Sequence, residues 1–201
     1  MADWTDFKVS GVTTKTPKSI MLGAGTLYKN LKFDSETKKW AGSIYGATSG
    51  GSKFSIKPEL TDIEVDGVLV KAKGLTVKTG ETATIETNMV ELTKEWVETT
   101  IIGKAGVSED ERFDMIESKA QIEDGDYIEG FAYVGFMTTG DPIIIIFDSA
   151  LCTSGFEGEG KNKENAVFPA TFECCAELAE GETNTLPYHI YVPKDTTVPV
   201  V

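Results

Sequence analysis

Apolar and polar residues alternate with a period of two along most of this chain, the pattern of strands that bury one face. The alternation predicts strands over 25–33, 40–46, 53–57, 62–66, 69–78 and 81–87. Within 69–78 it changes phase near Gly74, which predicts a bulge or bend there. Further strands are expected over 111–120, 126–138, 142–151, 166–178 and 186–193. In 126–138, Phe131 and Tyr133 fall on one side and Ala132, Val134 and Phe136 on the other. Both faces are largely apolar, so this strand should be central. The run Ile143 to Phe147 also suits a buried strand.

One segment carries helical spacing. Leu92, Trp96 and Thr100 recur every fourth residue, with Val97 and Ile101 beside them. Asn88 followed by Glu91 resembles a capping box, and Gly103 supplies a stop. A helix is therefore expected over 89–102, packed by its apolar stripe on a sheet. Many strands and one helix predict a mainly β fold, a β-sandwich or small barrel core with one flanking α-helix. Residues 1–19 and 194–201 read as terminal arms around a single domain of residues 20–193, and no internal repeat appears.

Charge narrows the function. The 201 residues include 19 basic and 32 acidic side chains, a net charge of −13. Residues 1–75 carry a net +3 and residues 76–201 a net −16, and Arg112 is the only arginine. Such a chain is poorly suited to gripping nucleic acid, which needs clustered Lys and Arg for phosphates and bidentate Arg for bases. No apolar run is long enough to span a bilayer, and the acidic, polar start Met-Ala-Asp-Trp-Thr-Asp is unlike a signal peptide. Cys152, Cys174 and Cys175 are odd in number, and adjacent strand cysteines point to opposite faces, so reduced thiols in a cytoplasmically made protein are expected.

The search for catalytic chemistry finds no pattern. His189 is the sole histidine and lies in a strand pattern, so a structural or surface role is expected. No zinc spacing exists, and neither Asp124-Gly-Asp126 nor Glu157-Gly-Glu159 fits a calcium loop. Gly46 to Lys53 superficially resembles a phosphate loop, but its Ser precedes its Lys and strand-like Phe54-Ser-Ile56 follows. That segment reads instead as a flexible hairpin tip. No catalytic residue, cofactor or metal is expected.

A series of motifs is more informative than any one of them. Leu22-Gly-Ala-Gly-Thr-Leu-Tyr-Lys-Asn-Leu31 is followed by Tyr45-Gly-Ala-Thr-Ser-Gly-Gly-Ser-Lys-Phe54, Pro58-Glu-Leu-Thr-Asp-Ile-Glu-Val-Asp-Gly67 and Lys73-Gly-Leu75. Asn88 to Leu92, Ala166 to Phe172 and Leu186-Pro-Tyr188 complete it. In order and spacing this series resembles the major tail (tail tube) proteins of long-tailed, non-contractile bacteriophages of Gram-positive hosts. The chain departs from that pattern at Thr61 and Asp62, where the family often has a basic residue, and in its long charged loop 153–165.

The resemblance implies a β-sandwich with one helix, shared with type VI secretion and injection tube proteins. It implies a structural virion protein whose homo-hexameric rings stack helically into the tail tube, the conduit for DNA ejection. Implied partners are further copies of the chain and the tail tip or baseplate, tape measure and tail terminator proteins. Genomic DNA would pass through the lumen without specific binding. The location implied is the virion tail, after assembly in the host bacterial cytoplasm. Alternatives are the tube of a phage-derived bacteriocin or contractile injection system, and a non-polymerising ligand-binding β-sandwich.

Elementary physics agrees with a polymer, because heterologous contacts close free sheet edges. Axial stacking needs segments that reach the next ring: the arm 1–19, the glycine-rich loop 47–61 or the tail 194–201. The stacking candidates are Trp4, Phe7, Thr48, Gly50, Gly51, Lys53 and Phe54. Glu123, Asp124, Asp126 and Glu129 are the acidic candidates for the lumen, where carboxylates would repel phosphates within a Debye length of about 8 Å.

Overall fold

A computed structural model describes residues 10–178 and 185–194. Trp4, Phe7 and most of the expected C-terminal arm lie outside the described residues. The chain is mainly β. Its strands are β1 (Met21–Asp34), β2 (Lys39–Gly46), β3 (Thr48–Asp62), β4 (Thr76–Met89), β5 (Gly103–Gly106), β6 (Met115–Ser118), β7 (Ile128–Met137), β8 (Pro142–Cys152), β9 (Phe168–Cys174) and β10 (Tyr188–Tyr191). One helix, α1 (Lys94–Ile101), separates β4 from β5.

Eight strands form one antiparallel sheet in the order β2-β1-β7-β8-β9-β4-β3, with β10 paired to β8 beside β9. Strands β5 and β6 form a separate hairpin next to α1. The sheet rolls on itself. Phe54 of β3 reaches Tyr133 of β7, ring centroids 5.5 Å apart, although β8, β9 and β4 separate their strands. The roll encloses the main core, built from Leu27, Ile85, Trp96, Phe131, Phe147 and Phe172 among others. On the opposite sheet face, Trp40 of β2 meets Tyr191 of β10 at 4.9 Å and helps cover a second cluster of Leu31, Ala132, Ile144 and Ile146.

Strand β7 is central, as its two apolar faces predict: Phe131 and Tyr133 enter the main core and Ala132 the second cluster. The strand bends sharply at Gly130, just before these residues. Gly130 has φ +54, and a Cβ there would lie 2.9 Å from the Leu31 backbone nitrogen. Gly130→Ala should therefore cost about 2 kcal/mol or more through left-handed strain and backbone collision, measured as a lower urea midpoint.

The helix differs from its expected limits. It starts six residues after Asn88, because Asn88 and Met89 still belong to β4, paired with Pro169 and Phe168 of β9. Met89 is buried in the core, so sheet pairing overrides the local cap signal. Thr93 is the actual N-cap, its hydroxyl accepting the Trp96 N–H at 3.2 Å. Glu91 instead accepts the Ala47 N–H at 3.1 Å. At the other end Ile102 adopts φ +51 and Gly103 already opens β5.

Two further expectations change. Residues 48–62 are not a loop with a flexible glycine tip but the long strand β3. Gly50 and Gly51, at φ +75 and +83, form a bulge near its start, where Thr48 pairs with Met89 and Ser52 with Thr87. The expected strands 62–66 and 69–78 are replaced by β3 ending at Asp62 and β4 starting at Thr76. Between them two tight turns interrupt the ladder, closed by Val68 N–H to Val65 C=O and Leu75 N–H to Ala72 C=O. Gly67 and Gly74 supply the positive φ that these turns need.

Candidate functional site

The feature with most consequence is the far half of the β3–β4 hairpin. Strand β4 pairs with β9 only from Thr84 to Met89, so beyond Thr84 the hairpin continues as a two-stranded ribbon. Two strands alone are marginal in water. This ribbon nevertheless carries bare apolar side chains: Leu60, Ile63, Val65, Leu69, Val70 and Val77 are exposed, Leu69 at 96% and Val70 at 77%. Scattered exposed apolar residues are ordinary, but a contiguous group on a projecting element marks an interaction surface.

Charged groups brace the ribbon's backbone. Asp62 accepts from Thr76 and pairs with Lys71 at 3.0 Å, and Lys78 pairs with Glu81 at 2.8 Å. Tyr188 donates to Glu81 at 3.0 Å, fastening the ribbon's base to β10. The Thr76 hydrogen bond, then Lys71, holds the Asp62 carboxyl below its ordinary range. Lys78 does the same for Glu81. A lowered carboxylate pKa stabilises the fold above the ordinary pKa, and the contribution is lost as acid protonates the group. Amide protection factors over 60–81, corrected for the intrinsic pH dependence of exchange, should therefore fall on acidification below roughly pH 4, before those in β7 and β8 do. Simultaneous loss of protection in all these strands would contradict the assignment.

The sheet's free edges are the second assembly feature. Among the described residues, β2 and β3 each have one strand partner, so each leaves a ladder edge unpaired. Strand β3 is guarded by Lys53, Lys57 and Pro58, whereas the β2 segment Trp40 to Gly46 carries no charge. A chain with two different open edges can join head to tail, the heterologous arrangement that closes into rings.

Thr48, Gly50 and Gly51 lie in the bulged start of β3. Lys53 pairs with Glu86 at 2.7 Å. Phe54 rests on Tyr133, so its ring belongs to the edge of the core. These residues come together, but away from the exposed apolar tip. The ribbon's exposed Leu69 and Val70 are not among those candidates, and the phase change near Gly74 is the sequence signal that marks their departure from ordinary pairing.

The four acidic candidates gather at the turn before β7 and in its first residues. Glu123 and Asp126 form a capping box and both pair with Lys119, at 3.1 and 2.6 Å. Glu129 pairs with Lys32 at 3.3 Å. Two lysines thus offset half of their charge, and Lys119 is shared between Glu123 and Asp126. The cleft between α1 and β7, about 300 Å³, is lined by Lys29, Glu95, Glu98 and Asp126 but by no histidine or cysteine.

His189 lies 3.1 Å from Asp148 on an exposed strand. Cys152 and Cys174 are buried and Cys175 half-buried, all as free thiols. Burial pushes the Cys174 thiol up to about 12, so it stays neutral. Among the described residues, no group of three acidic, histidine or cysteine side chains could hold a metal ion. No helix of the described chain is long and apolar enough to cross a membrane.

No protein-family model matches the sequence, and no curated protein matches it. Among solved structures, the chain is similar to the tail of an empty GTA particle obtained by helical refinement with C6 symmetry. The identity is 11% and the TM-score 0.41, over 78% of this chain and 94% of that one.

Proposed function

We propose that this chain is a structural, non-catalytic subunit that polymerises into stacked rings and forms the tube of a phage-type tail. The single observation that carries the reading is the β3–β4 ribbon: a projecting hairpin with Leu69 and Val70 bare has the form of an element completed by another copy. The unpaired edges of β2 and β3 supply the second kind of contact, within a ring. The motif series of residues 22–75, 88–92, 166–172 and 186–188 supports reading the polymer as a tail tube.

Hexameric rings and passage of DNA toward a host cell belong to this proposal, as do a tail tip that starts the tube, a tape measure within it and a terminator that ends it. Sedimentation velocity over a concentration series tests the self-association. The chain should pass from monomer to large, open-ended species as concentration rises. A single monomeric boundary at every concentration, with and without tail-tip complex, would count against it.

A further inference from the structure

The three-stranded part of the sheet, β3-β4-β9, has one face on the main core and one face bare. On the bare face two rows of side chains run straight across the strands. Lys53, Glu86 and Thr171 form one row, and Ser55, Thr84 and Glu173 the next. The charges are tied down locally: Lys53 pairs with Glu86, and Thr153 donates to Glu173 at 3.2 Å. These rows contain no aromatic ring and no arginine. The same sheet side toward β1, β7 and β10 is different, with Phe136 and Tyr191 exposed.

Position as well as chemistry sets this face apart. Strand β3 is an open edge, so the β3-β4-β9 layer borders the neighbouring copy in the ring. The bulk of each subunit, with α1, β1 and β7, lies on the core side of these strands. A closed ring has less circumference inside than outside. Thick domains fit only with their bulk outward, which turns the bare face inward.

Resting on the tube reading, we infer that the bare face of β3-β4-β9 lines the channel and is the surface past which duplex nucleic acid moves. Tight binding of a polyanion needs unpaired cations that release counterions, or aromatic platforms on which bases stack. These rows offer hydroxyls that hold water, one closed Lys53–Glu86 pair and the uncompensated carboxylate of Glu173, which repels phosphates. Glu129, opposite Ser149 and two residues along from Leu151 in the β8 register, borders this wall. The other three acids are not required for it.

The test is thiol accessibility at Thr84→Cys in a Cys175→Ser background, compared between assembled tubes and dispersed subunits. Two reagents are used: a small maleimide, and a maleimide carried on streptavidin, too bulky to enter a tube. The inference expects the small reagent to label tubes and subunits at similar rates, and the bulky one to label tubes at least an order of magnitude more slowly than subunits. Equal labelling of tubes by both reagents would place Thr84 outside and overturn the inference. Protection of tubes from both would place it in a subunit contact and also overturn it. In either case visible tubes leave the tube reading standing, whereas absence of tubes in electron micrographs of the unsubstituted chain defeats that reading itself.

Discussion

Trp96→Ala is expected to lower the unfolding free energy by roughly 3–5 kcal/mol, the usual cost of removing a large buried aromatic. Trp96 is 1% exposed and joins three parts of the molecule. It anchors α1, and its ring lies 5.4 Å from both Phe156, in the long charged loop, and Phe168, at the start of β9. Truncation would leave a cavity where helix, loop and sheet meet, and the rigid β9 ladder has little freedom to fill it. The indole N–H is buried with no hydrogen-bond partner among the described residues. Trp96→Phe should therefore be milder than the volume lost implies, because it also removes an unsatisfied donor. Urea unfolding of the dispersed subunit measures both. A loss below about 1 kcal/mol for Trp96→Ala would show that the indole ring does not hold this junction together.

The second large effect concerns assembly rather than folding. Leu69→Asp with Val70→Asp should leave the subunit's stability within about 0.5 kcal/mol, since both side chains project into solvent. Assembly should fail. Burying a Leu or Val side chain contributes roughly 1.5–3 kcal/mol, and each 1.4 kcal/mol is about tenfold in an association constant. Losing both contacts should raise the concentration needed for polymerisation by about a hundredfold or more. Light scattering against concentration, paired with urea unfolding, separates the two consequences. Unaltered assembly in this variant would remove the ribbon from the contact.

Much of the fold was legible because the strands obey simple alternation. The central place of β7 follows from Phe131 and Tyr133 opposing Ala132 and Val134, and the Ile143 to Phe147 run marked β8 as buried. The helix start was not legible. Asn88 and Glu91 look like a cap at the level of side-chain chemistry, and only pairing of Asn88 with Pro169 shows that the strand continues. Nothing local announces a partner eighty residues away.

The proposed contact surface was legible in part. Glycines near Gly50 pointed to an unusual backbone in the β3–β4 hairpin, at its base rather than at its exposed apolar tip. Apolar residues such as Leu69 and Val70 read as core in any alternation argument, so their exposure emerges only with the fold. The acidic residues 123–129 drew notice as unbalanced charge, whereas Lys119 and Lys32 pair with three of them across turns and strands and offset half of the total.

Electron microscopy of the purified 201-residue chain, negatively stained over a concentration series with and without tail-tip complex, is the most direct test of the central claim. Long hollow tubes built from stacked rings are the predicted result. Dispersed monomers at every concentration, with the tip complex present, would contradict the account.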